Sequence, residues 1–126
     1  MRWLALCLLA VPAAAETPMD AEAFGAYVAG RTLSFSRPDG TPFGVEQYLP
    51  DRRAIWSPLD GTCLRGEWYE DAGRICFAYE GQSEPDCWFV YGEPGGLRVI
   101  DADSGTGLTL LESEVDLALV CGDLLS

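Results

Sequence analysis

The chain has 126 residues, and its 20 acidic residues outnumber its eight basic ones, which gives a formal net charge of −12 at pH 7. Nucleic-acid binding is not expected, because phosphate backbones are bound through clustered Lys and Arg. The sequence contains neither His nor Lys, so Ser-His-Asp triads, the commonest metal ligand and Schiff-base chemistry are all missing. We therefore expect no catalytic residues, no enzyme activity and no cofactor.

Residues 1–15 have the pattern of a secretory signal peptide. Arg2 precedes an apolar run that reaches Val11, and small residues follow as far as Ala15. The remaining residues, 16–126, are enough for one domain. No later run is long and apolar enough to span a membrane, so we expect no membrane insertion. The predicted location is the periplasm or the extracellular medium.

The first predicted element after the signal peptide is a helix. Thr17 and Pro18 suit its N-cap and first turn, "MDAEAFGAYVA" fills it, and Gly30 ends it. Its apolar residues share one face, so the helix is expected to pack on a sheet through Phe24, Tyr27 and Val28. The next stretch, "TLSFS", alternates and predicts a strand with Leu33 and Phe35 pointing inward.

Residues 39–56 and 60–77 repeat each other at an offset of 21 positions. Each copy has an Asp-Gly turn, an extended run, a second turn and a second extended run, which predicts a β-hairpin. The second copy, "DGTCLRGEWYEDAGRICF", is rich enough in polar residues to suggest an active site. Glu67 and Arg74, however, recur at the matching positions of the first copy, as Glu46 and Arg53. A pair that recurs with the hairpin suits the structure of the hairpin, so we interpret Glu67 and Arg74 as a cross-strand ion pair. Six positions are identical: Asp39/Asp60, Gly40/Gly61, Thr41/Thr62, Glu46/Glu67, Tyr48/Tyr69 and Arg53/Arg74.

Three more extended runs, "CWFVY", "LRVID" and "LTLLE", follow the repeat and are separated by Gly, Pro and Asp turns. Short runs separated in this way favour a mainly β fold. The prediction is a small antiparallel β-meander, curled toward a barrel, with one N-terminal helix packed on it.

Four cysteines follow the predicted signal peptide, an even number in an oxidising compartment, which predicts two disulfides. A tight turn between Cys76 and Cys87 would place these two opposite each other on adjacent strands. That pairing leaves Cys63 with Cys121, and Cys63 with Cys87 is the alternative. Zinc binding is not expected, because the paired C-x-x-C spacing is missing.

The order "GEW", "ICF" and "CW" within residues 66–88 resembles a family of small secreted bacterial proteins whose function is not established. The similarity extends over nearly all of residues 16–126. It implies a disulfide-containing β-domain outside the cytoplasm, and it offers no assigned catalytic or ligand-binding residue that could be carried over to this chain.

Several acidic residues resemble parts of known sites. Asp101, Asp103 and Glu112 occupy positions 1, 3 and 12 of an EF-hand loop, but Thr106 stands where that loop needs Gly, and the flanks read as strands. We expect no metal site there, and weak calcium binding by these three residues without EF-hand geometry is the alternative. The triplet "DSG" that begins at Asp103 matches aspartic proteases, which need a second lobe or subunit. Glu67 and Glu70 could form a glycosidase pair, but chance pairs are expected among so many acidic residues.

Three tryptophans, Trp56, Trp68 and Trp88, are interpreted as core or hairpin aromatics rather than as a ligand cage. The "GEW" segment is similar to the G-x-W of lipocalin barrels, but it lies mid-chain, whereas lipocalins carry theirs on the first strand.

The first functional hypothesis is a non-enzymatic periplasmic or secreted binding domain. One alternative is an inhibitor of a basic extracellular enzyme of the lysozyme or protease type, since the acidity suits a cationic protein partner. The other is a carrier of a small apolar ligand. The sequence identifies neither the ligand-binding residues nor the oligomeric state.

Overall fold

A computed structural model describes residues 16–122. The predicted signal peptide, residues 1–15, lies outside the described residues, and so do residues 123–126. The prediction of a signal peptide is therefore untested by the structure.

The predicted N-terminal helix, α1, spans Ala21–Val28. Its N-cap is Asp20, whose carboxylate accepts a hydrogen bond of 2.8 Å from a backbone N–H of the first turn. The predicted start at Thr17 is wrong, because the residues before the cap run along the barrel instead. Met19 there donates its backbone N–H to the carbonyl of Val90 at 2.7 Å.

Within residues 16–122 no helix has the length and hydropathy that a membrane span requires.

Eight strands form a closed antiparallel barrel in which each strand pairs with its sequence neighbours and the last pairs with the first. The predicted meander is thus confirmed, and its curl is complete. The strands are β1 (Thr32–Ser36), β2 (Pro42–Leu49), β3 (Arg53–Ser57), β4 (Leu64–Asp71), β5 (Arg74–Tyr79), β6 (Asp86–Glu93), β7 (Gly96–Asp101) and β8 (Thr109–Glu112).

The helix closes one end of the barrel, here called the helix end. Its Tyr27 hydroxyl donates to Glu112 Oε1, at the end of β8, at 2.7 Å. The Phe24 ring enters the barrel and makes edge-on contacts with Tyr48 and Trp68, with centroids 5.6 and 5.0 Å away. Because neighbouring strands are antiparallel, the loops 37–41, 58–63, 80–85 and 102–108 all lie at the opposite end, here called the open end.

The two hairpins of the repeat are β2–β3 and β4–β5, as predicted. The turns that precede them have the same local structure. The Asp39 carboxylate accepts the backbone N–H of Thr41 at 2.9 Å, and the Asp60 carboxylate accepts that of Thr62 at 2.9 Å. The sequence repeat is therefore a repeat of turns and hairpins.

The repeated residues, however, face opposite sides of the barrel wall. Glu46 is buried inside the barrel, whereas Glu67 is exposed on its outer face. The predicted ion pair of Glu67 with Arg74 is wrong. The Arg74 guanidinium instead contacts Asp71 at 2.8 Å and Asp103 at 2.9 Å, because these carboxylates lie closer to it on the outer surface.

Both predicted disulfides are confirmed. Cys76 and Cys87 are directly opposite on β5 and β6, with Cα atoms 4.0 Å apart. Cys63 joins Cys121 over a sequence separation of 58 residues, with Cα atoms 5.3 Å apart. Two disulfides fit an oxidising environment outside the cytoplasm.

The C-terminal segment 113–122, here called the tail, lies against the outside of the barrel. Ser34, Val45 and Ser57 face outward in one row across β1, β2 and β3, yet each is at most 3% exposed. The Ser34 hydroxyl accepts the backbone N–H of Leu117 at 2.8 Å. The tail therefore covers this row, so that β2 is buried on both faces around Val45 and Glu46.

Candidate functional site

A cavity of about 280 Å³ occupies the barrel interior. Its lining comprises eight aromatic, four aliphatic and three acidic residues. Phe24 of the helix forms its floor. Toward the open end the lining residues Phe43, Trp88 and Leu108 are half-buried and Asp86 is exposed. The cavity is thus an apolar site with its mouth at the open end.

Two glycines keep the cavity open by letting aromatic rings lie flat against the wall. A Cβ at Gly44 would overlap the Trp56 ring, and a Cβ at Gly66 would lie 2.7 Å from the ring of Tyr79. Neither position therefore has room for a side chain. Since these rings rest on bare backbone, they line the cavity without filling it.

Glu46 is the most deeply buried acidic residue of the lining, with 2% of its surface exposed. Its Oε1 accepts a hydrogen bond of 2.6 Å from the Tyr79 hydroxyl. Its Oε2 is buried and has no hydrogen-bond partner among the described residues. A buried polar atom without a partner is rare and costly, so this oxygen marks a position where a ligand group would be stabilising.

Burial raises the pKa of Glu46 from its usual 4.5 to about 8. The hydrogen bond from Tyr79 opposes this shift by stabilising the carboxylate, and the negative charge of Asp86 adds to it. Burial also raises the pKa of Tyr79 and Tyr48 well above 10. Near pH 7 the cavity therefore holds a protonated Glu46 beside two neutral tyrosines.

The other two acidic residues of the lining lie at the mouth. Although Asp86 is exposed at its surface side, partial desolvation by the cavity wall raises its pKa, and the charges of Asp101 and Asp103 raise it further. Burial alone would also raise the pKa of Asp101, but hydrogen bonds from the Ser104 hydroxyl and from the N–H groups of Asp103 and Ser104 lower it overall. None of the described residues that line the cavity is basic.

The structure does not bring the EF-hand-like residues together. Asp101 accepts hydrogen bonds from its own loop, at Asp103 and Ser104, while Glu112 lies at the helix end and binds Tyr27. Within residues 16–122 no group of three acidic or Cys side chains is placed to hold a metal ion. The expectation that these residues form no metal site stays a prediction.

The tryptophans divide between two roles. Trp68 is a core residue, as predicted, since it is 5% exposed and contacts Phe24. Trp56 and Trp88 are half-buried and pack against the core, as predicted, and both also line the cavity. Glu67 and Glu70, the glycosidase-like pair, are both exposed, and Glu70 accepts the backbone N–H of Ala21 at 2.6 Å.

Sequence reasoning missed Glu46 as a site residue. Apolar residues at Phe43, Val45 and Leu49 alternate along β2, a pattern that places the intervening Glu46 toward solvent. One available signal was Gly44, two residues before Glu46 on the same face, because a glycine within a strand often marks close approach of another group.

No protein-family model, no curated protein and no solved structure matches the chain. The resemblance to small secreted bacterial proteins accordingly stays a prediction.

Proposed function

We propose that the protein is a non-enzymatic binding protein that holds a small, mainly apolar molecule inside its barrel. The observation that carries this proposal is the unpartnered Oε2 of Glu46 in a cavity whose other lining is mostly aromatic and aliphatic. Ligand sites are typically apolar concavities with a few well-placed polar groups. Glu46 and Tyr79 supply those polar groups here.

The size of the cavity limits the ligand. A cavity of roughly 150 Å³ accepts a benzene molecule, and the present cavity has about 280 Å³. A molecule with one or two rings fits this volume, and a long acyl chain does not. We therefore propose a small aromatic or cyclic compound as the occupant.

The disulfides support a location outside the cytoplasm. Together with the predicted signal peptide, they lead us to propose the periplasm or the extracellular medium. The alternative function, inhibition of a basic enzyme, rests on overall acidity, which many soluble proteins share. It remains a prediction, whereas the cavity is a specific feature that favours small-molecule binding.

Calorimetric titration with three one-ring compounds of similar size tests the proposal: neutral 2-phenylethanol, cationic 2-phenylethylamine and anionic 3-phenylpropanoate. At least one should bind, with the negative heat-capacity change that burial of apolar surface produces. Absence of binding by all three would contradict the proposal.

A variant pair locates the binding. Leu108→Trp places a larger side chain at the cavity mouth and should weaken binding by about tenfold or more. Val115→Trp adds the same ring at a position that is 65% exposed and should leave affinity unchanged. Equal affinity in both variants would place the ligand outside the cavity and overturn the proposal.

A further inference from the structure

We propose that the ligand is an organic cation, a one- or two-ring molecule whose ammonium group binds the Glu46 carboxylate. This inference rests on the proposed function and names the chemical class of its ligand. Three features of the cavity support it: the charges of its lining, its aromatic rings and the charges of its rim.

The first feature is the charge of the lining. Glu46, Asp86 and Asp101 are its three ionisable acids, and none of the described lining residues is basic. A buried carboxylate is costly unless a counter-charge accompanies it. An ammonium group supplies both the missing charge and a hydrogen bond to Oε2. An anionic ligand would instead meet three carboxyl groups.

The second feature is the aromatic surroundings of Glu46. Trp56 is its cross-strand partner on β3, Tyr79 is hydrogen-bonded to it, and Tyr48 lies two residues further along the same inward face of β2. Aromatic faces attract organic cations, and desolvated sites strengthen this attraction. A carboxyl group among such rings is chemically suited to an amine.

The third feature is the rim. The four loops of the open end carry Asp39, Asp60, Glu80 and Glu84, as well as Asp103, which pairs with Arg74, but they contain only one basic residue, Arg37. Asp86 and Asp101 add two more carboxyl groups at the adjoining strand ends. A mouth with one predominant sign of charge raises the local concentration of ligands of the opposite sign. The rim therefore favours the approach of cations.

Water alone is a poor occupant of this cavity. A water molecule has about 30 Å³ of liquid volume and needs two or more polar partners, whereas the cavity has about 280 Å³ and a mostly apolar lining. One water can satisfy Oε2 without filling the remaining space.

Binding of an ammonium group should release a proton from Glu46. The titratable groups that face it are Tyr48 on β2, Tyr79 on β5 and Asp86 on β6, with Asp101 of β7 also in the lining. Burial holds the pKa of both tyrosines well above 10, so they do not titrate near pH 7. Because the pKa of Glu46 is about 8, it is the group that ionises when the cation arrives.

The affinity comparison uses the three matched compounds at pH 8. We expect 2-phenylethylamine to bind about tenfold or more tightly than 2-phenylethanol, and 3-phenylpropanoate to bind weakest. Glu46→Gln should abolish the preference for the amine. Glu67→Gln, the same substitution at the exposed corresponding position of the repeat, should retain it.

Two outcomes would overturn the inference and leave the proposed function intact: the alcohol or the acid binds as tightly as the amine, or the preference for the amine survives in Glu46→Gln. Failure of all three compounds to bind would overturn the proposed function itself. Titration of the wild-type protein at pH 7 in buffers of different ionisation enthalpy gives a second readout. The amine should release close to one proton and the alcohol none, and equal release by both would contradict the role of Glu46.

Discussion

Tyr79 and Glu46 face each other inside the barrel, with the tyrosine hydroxyl 2.6 Å from one carboxyl oxygen of the glutamate. This hydrogen bond fixes the orientation of the carboxyl group and leaves its second oxygen without a partner. A rigid acceptor in an apolar cavity is already oriented before a ligand arrives, which lowers the entropic cost of binding.

Glu46 should make the folded state less stable as the pH rises. In the unfolded chain it ionises near its usual pKa of 4.5, whereas in the folded state it does so near 8. Between these values the folded protein holds a proton that the unfolded chain has lost, so stability falls as pH rises through this window. The full loss is on the order of 5 kcal/mol.

Glu46→Gln should remove most of this pH dependence and be the more stable protein at pH 8.5. Urea unfolding at a series of pH values measures the difference, with Glu67→Gln as the matched exposed control. The prediction would be contradicted if the free energy of unfolding of the wild type stayed constant between pH 5 and 8, where Glu46 should lower it.

Tyr79→Phe should raise the pKa of Glu46 further. The Tyr79 hydroxyl stabilises the carboxylate by donating a hydrogen bond, and Phe cannot donate one. Carbon NMR of the Glu46 carboxyl group as a function of pH gives the pKa directly. Tyr69→Phe, at an exposed position of the repeat, should have no effect, and an unchanged titration in Tyr79→Phe would show that the hydrogen bond is unimportant.

The strands and the Cys76–Cys87 disulfide were predictable because their signals are local. "TLSFS" predicts Leu33 and Phe35 inward, and they are 4% and 5% exposed. The turn between Cys76 and Cys87 implies their pairing, which the structure confirms. The helix start was missed although Asp20 is itself a favoured N-cap residue, and the hydrogen bond from Met19 to Val90 holds the residues before it on β6.

The site was not predictable, because its key residue lies on the face that alternation assigns to solvent. Val45 looks like a core residue, and it is buried, but under the tail on the outside of the barrel. Glu46 consequently faces the interior. The tail, held by Cys121 and by a hydrogen bond to Ser34, covers Val45 on the outer face of β2.

Loss of the tail disulfide should destabilise the barrel. In Cys63→Ser/Cys121→Ser the unfolded chain is no longer constrained over 58 residues, which costs roughly 4 kcal/mol in the chain-entropy picture. Urea unfolding measures the loss. Val120→Ala, a tail change at a position 62% exposed, should cost less than about 0.5 kcal/mol. A double variant as stable as the wild type would show that the tail is not held by its disulfide.

The β4–β5 turn should be improvable. Ala72 has a φ of 50°, a left-handed conformation that costs most residues roughly 1–2 kcal/mol and that Asn tolerates better. Ala72→Asn should therefore raise the free energy of unfolding by about 1 kcal/mol. Ala78→Asn, in strand β5 of the same hairpin, should give no gain. Equal effects at the two positions would contradict this account of the turn.

Binding inside the barrel is tested most directly by nuclear Overhauser effects between 2-phenylethylamine and the methyl groups of the protein. The aromatic protons of the ligand should give cross-peaks with Val90, Val99 and Leu110, which line the cavity. Val115 and Val120, 65% and 62% exposed on the tail, serve as controls in the same spectrum. Cross-peaks to the three cavity residues are the predicted result, and cross-peaks confined to the two tail residues would contradict it.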